Sequence, residues 1–152
     1  PITLIEFNGH SSLGDWKINN NIIAKLNNTV PITIKKYDAD PLKVLENLSS
    51  YRAILSMRLH GSILGFLANT PVLSVNYHSK CEGWCDEIGM PRDYQIDLFN
   101  LNIEKIVTAI VKGLSTNFIH PTLSVNAALN NSLSNWSIQN EQYKIYRNYS
   151  AV

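Results

Sequence analysis

Arg58 and His60 are spaced for acid–base chemistry on a small anion. They stand in the run Arg58-Leu59-His60-Gly61-Ser62, directly after the apolar stretch Ala53 to Met57. Arginine offers a planar fork that pairs bidentately with carboxylate or phosphate. Neutral imidazole accepts a proton from a hydroxyl, and imidazolium donates one to a leaving group or an enol carbon. The opposing reading gives Arg58 a surface carboxylate as partner and His60 a helix-capping role. Spacing alone leaves both open.

The elements around the pair read as strand, helix, strand. Ala53 to Met57 is too short for a helix, Gly61 and Ser62 open an amphipathic segment to Asn69, and Pro71 stops it. Val72-Leu73-Ser74-Val75 is a second apolar run, ending at Asn76 and Tyr77. Such a unit forms a right-handed crossover between parallel strands. Arg58 and His60 then fall where strand gives way to helix, the edge at which open α/β sheets bind ligands. The first turn of a helix has N–H groups without intrahelical partners and the positive end of the dipole, a ready anion site.

Further residues extend the pattern. Thr70-Pro71-Val72 leads into the second strand, Tyr77-His78-Ser79-Lys80 closes it, and Glu87-Ile88-Gly89-Met90 follows. Asp40-Pro41 to Leu48 is a short helix ahead of the motif strand. Together these features resemble the polysaccharide pyruvyl transferase family, in which an arginine-leucine-histidine motif follows a strand. A small-residue helix, a proline and a tyrosine–lysine pair come next in that family. The resemblance spans roughly residues 1 to 115 and is densest in 51 to 90.

It implies an enzyme that moves the enolpyruvyl unit of phosphoenolpyruvate onto a sugar of a cell-surface or exopolysaccharide. The product is a ketal bridging two hydroxyls, and phosphate is released. The implied fold is a Rossmann-like parallel sheet with helices on both faces, resembling the C-terminal domain of a glycosyltransferase type B fold. A missing N-terminal domain would complete the cleft, so this piece alone is expected to be less than fully active. By motif, Arg58 would hold the donor's carboxylate or phosphate, and His60 would bind the donor and act as general acid–base. Gly61 and Ser62 would belong to the same donor site, with Tyr77 and Lys80 lining it. The partners implied are phosphoenolpyruvate and a saccharide acceptor, with no cofactor beyond the donor and no metal. The implied location is cytoplasmic, at the inner face of the membrane beside polysaccharide assembly enzymes; homo-oligomerisation is left open.

Composition bounds the rest. The chain has 152 residues, 45% hydrophobic and 16% charged, with a net charge of +1, the profile of one globular domain. No Lys/Arg run interleaved with aromatics marks a nucleic-acid surface. No apolar stretch approaches the roughly 20 residues that span a bilayer. Beginning at Pro1-Ile2-Thr3, inside a strand and without a basic leader, the chain reads as an excised piece with no signal peptide. Cys81 and Cys85 read as reduced thiols, because no paired His or Cys accompanies them. The triplets at Asn27 and Asn135 read as chance in an Asn-rich chain.

Strands at Ile2 to Phe7, Pro31 to Tyr37 and Tyr94 to Leu98 join the two central ones. Helices at Asp15 to Leu26, Asp40 to Ser49, Lys80 to Gly89 and Asn102 to Leu114 complete a Rossmann-like domain over 1–115. Leu42, Leu45 and Leu48 form the expected buried face of the second helix. Residues 116–152 read as a helical tail that packs on the domain or on the missing one, with Leu129, Leu133 and Trp136 as a stripe and Tyr143 and Tyr146 beyond. The loop Gly9 to Gly14 is neither a P-loop nor a dinucleotide fingerprint. Its functional reading has His10, Ser11 and Ser12 holding substrate, with Asp15 beside them. The competing reading is an ordinary turn in which Asp15 caps the helix. Two rival functions stand: a nucleotide-sugar glycosyltransferase, with Glu82, Asp86 or Glu87 gripping ribose, and a non-catalytic Rossmann-like binding module.

Overall fold

The structure, a computed structural model, describes residues 1–26 and 29–135. In chain order the elements are β1 (Ile2–Ile5), α1 (Trp16–Leu26), β2 (Ile32–Lys35), α2 (Pro41–Ser49), β3 (Ile54–Ser56), α3 (Leu59–Leu67), β4 (Val72–Asn76), α4 (Ser79–Glu87), β5 (Gln95–Asp97) and α5 (Ile103–Leu114). A 3-10 turn, Arg92–Tyr94, leads into β5. Residues 125–135 are again helical.

Local chemistry sets several boundaries. Asp40 accepts the Leu42 N–H at 2.9 Å and that of Lys43 at 3.4 Å, with Pro41 at the first helical position, so α2 starts there. Asn102 caps α5 by accepting the Lys105 N–H at 2.9 Å. The Leu42 side chain points to solvent, not to the core as expected. It lies about 120° round the helix from Leu48, whose true neighbours on the buried face are Val44 and Leu45.

All pairing among the described residues is parallel, and it falls into two sheets. β1 pairs β2, from Ile2 opposite Ile32 to Ile5 opposite Lys35. β4 lies between β3 and β5, with Ile54 opposite Val72 and Val75 opposite Ile96. The fold is therefore the expected Rossmann-like α/β arrangement of parallel strands and helices, but in two sheets of two and three strands rather than one.

The core surrounds β4. Val72, Leu73, Ser74 and Val75 are all buried, as a central parallel strand requires. A Cβ on Gly65 of α3 would press on Val72 at 2.7 Å, and one on Gly113 of α5 on Leu73 at 2.9 Å. Successive strand residues face opposite sides. Helices α3 and α5 therefore cover opposite faces of the three-stranded sheet. Tyr94, fully buried, stacks on Phe118 with ring centroids 4.6 Å apart, and its hydroxyl accepts the Ile119 N–H at 3.2 Å. The segment after α5 is thereby fastened to the domain, and Val125 and Ala128 pack against the same core. Leu129 and Leu133 face solvent, contrary to the expected stripe. Trp136, Tyr143 and Tyr146 lie outside the described residues. No described helix is long and apolar enough to cross a membrane.

Cys81 and Cys85 are free and buried on α4. Burial pushes the Cys85 thiol above its ordinary value of 9.0, outweighing its hydrogen bonds with Ser74 and Asn76, which pull it down. Because the folded-state value is raised, this group's contribution to stability is complete below pH 9.0 and is lost as pH rises above it. Iodoacetamide at pH 7.5 is expected to leave both cysteines unmodified in the folded chain and to label both in urea, as read by intact mass. Rapid labelling without denaturant would contradict this burial.

Candidate functional site

The carboxyl end of β1 and that of β3 meet through one side chain. Asp15 closes the loop that follows β1, with its N–H donating to the Asn8 carbonyl at 3.1 Å. Gly14 permits the closure, since a Cβ there would sit 2.4 Å from the His10 carbonyl oxygen. The Asp15 carboxylate does not cap α1. Its Oδ2 accepts the N–H groups of Phe7 at 2.9 Å and Asn8 at 3.0 Å, and its Oδ1 accepts from Nη2 of Arg58. Asp15 is thus turned toward Arg58 and hydrogen-bonded to protein partners through both carboxylate oxygens. Its side chain is 11% exposed and that of Arg58 46%.

Arg58 is the N-cap residue of α3, in extended conformation at φ −108°, ψ 131°. The helix starts at Leu59, two residues before the expected opening at Gly61, so His60 lies inside its first turn. Ser56 holds the approach: its hydroxyl donates to the Arg58 carbonyl at 2.8 Å and accepts the Arg58 N–H at 3.3 Å. Gly61 passes so close that a Cβ would stand 2.6 Å from Ser56 Oγ. Its lack of a side chain is what lets the strand turn directly into the helix. No side chain caps α3, whereas Asp40, His78 and Asn102 cap α2, α4 and α5. The first intrahelical bond runs from Ser62 N–H to Arg58 carbonyl at 3.0 Å. The N–H groups of the turn before it therefore point outward at the carboxyl edge, beside Arg58 and the exposed His60 ring.

Ser62 belongs elsewhere. It is 1% exposed, and its hydroxyl donates to Ser74 Oγ at 3.4 Å. A residue four positions into a helix that packs on β4 faces the sheet, so its side chain lies beneath the edge where it was expected to meet the donor. Ser74 in turn donates to Asn76 Oδ1 at 2.9 Å, and Asn76 Nδ2 to Gln95 Oε1 at 3.4 Å. Sequence reasoning did not single out Asn76 or Gln95. No local signal marked them, because their link runs between neighbouring strands, β4 and β5, whose register the sequence does not announce.

The neighbouring strand end carries the other expected residues. Tyr77 follows β4 with its ring 6.4 Å from that of His78. His78 caps α4, its Nδ1 accepting the Lys80 N–H at 3.1 Å. Lys80 is therefore in the first turn of α4, which starts at Ser79, one residue before the expected helix start at Lys80. Its ammonium is exposed and has no acidic partner among the described residues. Adjacent strands lie about 4.8 Å apart, so Arg58, His60, Tyr77 and Lys80 share one edge of the three-stranded sheet.

His10 is tied into its own loop. Its Nδ1 accepts the N–H groups of Ser12 at 3.2 Å and Leu13 at 3.1 Å, which places the proton of a neutral ring on Nε2. The Ser11 carbonyl accepts from Trp16 Nε1 at 3.1 Å. Glu82 and Asp86, the acidic residues a ribose grip would need, pair with Arg92 at 3.3 and 3.0 Å. No three His, Cys, Asp or Glu side chains converge among the described residues.

A cleft of about 580 Å³ opens at the other end of β4, lined by Phe66, Asn69, Thr70 and His120 among others. None of the residues singled out for chemistry lines it. The electrostatic features, namely an arginine, an uncapped helix start and an unpaired lysine, all gather at the carboxyl edge instead.

Neither a curated protein nor a solved structure matches the chain. The family model of polysaccharide pyruvyl transferases matches residues 1–79, just over half of the 152, and that span includes the Asp15 loop, Arg58, His60 and Tyr77. The chain belongs to the polysaccharide pyruvyl transferase family.

Proposed function

We propose that this chain binds phosphoenolpyruvate at the carboxyl edge of the three-stranded sheet and serves transfer of its pyruvyl group to a saccharide. The observation that carries the reading is the uncapped start of α3, with Arg58 at the cap and His60 in the first turn. A carboxylate or phosphate seated there meets the free N–H groups and the guanidinium fork together. His60 is the general acid. It gives a proton to the methylene carbon of the donor, and a sugar hydroxyl bonds to the neighbouring carbon as positive charge develops there, its proton restoring that of His60. A second hydroxyl of the same sugar then replaces phosphate, closing a ketal; phosphate leaves with the electron pair of the carbon–oxygen bond and takes up the proton of that hydroxyl. Lys80 and Tyr77 flank the donor, with the ammonium balancing the departing phosphate. The acceptor is a sugar of a cell-surface or exopolysaccharide, and assembly of the polymer at the inner face of the membrane accords with that role. The edge is open, and a second Rossmann-like half in the manner of a glycosyltransferase type B fold would supply its opposite wall. No separate cofactor enters this scheme.

Titration of the chain with phosphoenolpyruvate, uridine diphosphate and inorganic phosphate tests the reading. Saturable binding of phosphoenolpyruvate that moves the His60 ring resonances is expected, weakened about 10- to 100-fold in Arg58→Ala, the size of a charge-assisted hydrogen bond. Preference for uridine diphosphate would favour the nucleotide-sugar glycosyltransferase instead. Equal affinity in wild type and Arg58→Ala would remove Arg58 from the site.

A further inference from the structure

We propose that Asp15 is a positioning residue for Arg58, holding the guanidinium where the donor anion needs it without touching the donor itself. The inference rests on the pyruvyl-transfer reading of the site. Three observations carry it. Asp15 Oδ2 is fixed by two backbone donors, Phe7 N–H at 2.9 Å and Asn8 N–H at 3.0 Å, so the direction of Oδ1 is set by the main chain. Oδ1 takes Nη2 of Arg58, a side chain that is otherwise 46% exposed. The Arg58 backbone is fixed as well, by Ser56 Oγ on both its N–H and its carbonyl. Both ends of a long, rotamer-rich side chain are therefore held before any ligand arrives.

The division of labour follows from the shape of guanidinium. It offers five N–H donors in a rigid fork, and Asp15 occupies one nitrogen from the β1 side. The remaining donors stay available to an anion lying over the start of α3. Ordering a free arginine at the moment of binding costs affinity, and pre-ordering removes that cost. The carboxylate also has an adverse effect, since it lowers the positive potential seen by a polyanionic donor. The two effects have opposite signs, which makes the proposal testable. Removing the charge of Asp15 strengthens binding if only potential matters and weakens it if positioning dominates.

The experiment is calorimetric titration of the full chain with phosphoenolpyruvate in wild type, Asp15→Asn, Arg58→Ala and the double variant, each with a thermal melt. Asp15→Asn is expected to weaken binding about tenfold, and to change it less than about twofold once Arg58 is already alanine. Tighter binding in Asp15→Asn, or the same loss with and without Arg58, overturns the positioning role. Undiminished binding in Arg58→Ala is a different result: it sinks the donor reading of the site and the proposal with it. Should Asp15→Asn fail to fold, the wild type still decides by NMR. A resolved Arg58 Nη resonance before phosphoenolpyruvate is added is expected, and a rotationally averaged one overturns the proposal.

Discussion

His60→Ala is expected to lower the turnover of pyruvyl transfer by about 10²- to 10⁴-fold, the usual contribution of one positioned general acid. The measurement is phosphate release from phosphoenolpyruvate with the saccharide acceptor present, alongside donor affinity and a melting curve. Affinity should change little, because Arg58 and the N–H groups of the first turn of α3 do the anchoring in the proposed scheme. Stability should stay within about 0.5 kcal/mol, since the ring is exposed and has no hydrogen-bond partner among the described residues. The capping role that spacing left open for His60 is already excluded, since no side chain caps α3. A histidine with a purely structural role would move the melt and leave turnover alone. Unchanged turnover in a folded His60→Ala variant removes it from the chemistry.

The second large effect is on stability. Tyr94→Ala should cost about 3–5 kcal/mol, against a typical total of about 5–15. The ring is fully buried, it stacks on Phe118, and its hydroxyl accepts the Ile119 N–H. Tyr94→Phe keeps the stacking and strands only that one donor, at a cost of about 1 kcal/mol. Urea midpoints of the two variants separate packing from hydrogen bonding. A loss under about 1 kcal/mol in Tyr94→Ala would mean that the segment after α5 is not fastened to the core through this ring.

Much of this was legible in the sequence because the signals were local. Asp40-Pro41 and Asn102 announce helix starts through their own side chains, and both do so in the structure. The alternation of short apolar runs with helical segments is enough to give parallel α/β order. The arginine-leucine-histidine run at a strand end is enough to direct attention to one edge. What was not legible depends on contacts between distant residues. Asp15 has the sequence context of a cap, yet its carboxylate serves a residue on another element, and nothing near it in the chain announces Arg58. Ser62 follows the motif directly, but helix periodicity turns it to the core, a placement that only the correct start of α3 reveals. The break between the β1–β2 and β3–β4–β5 ladders left no mark in hydropathy, since both sets of strands read as apolar runs.

That break has a consequence for when the site exists at all. None of the buried apolar cluster comes from β1, α1 or β2, and a lone pair of strands is marginal by itself in water. Local opening of this first unit is therefore expected to require less free energy than opening β4. Arg58 and His60 ride on the part of the molecule that holds the buried cluster, and Asp15 on the part that contributes nothing to it. The Asp15–Arg58 pair is then also a tie between the two. A donor that needs that pair intact would steady β1 and β2 as it binds, making their protection from hydrogen exchange a gauge of occupancy at the neighbouring sheet edge.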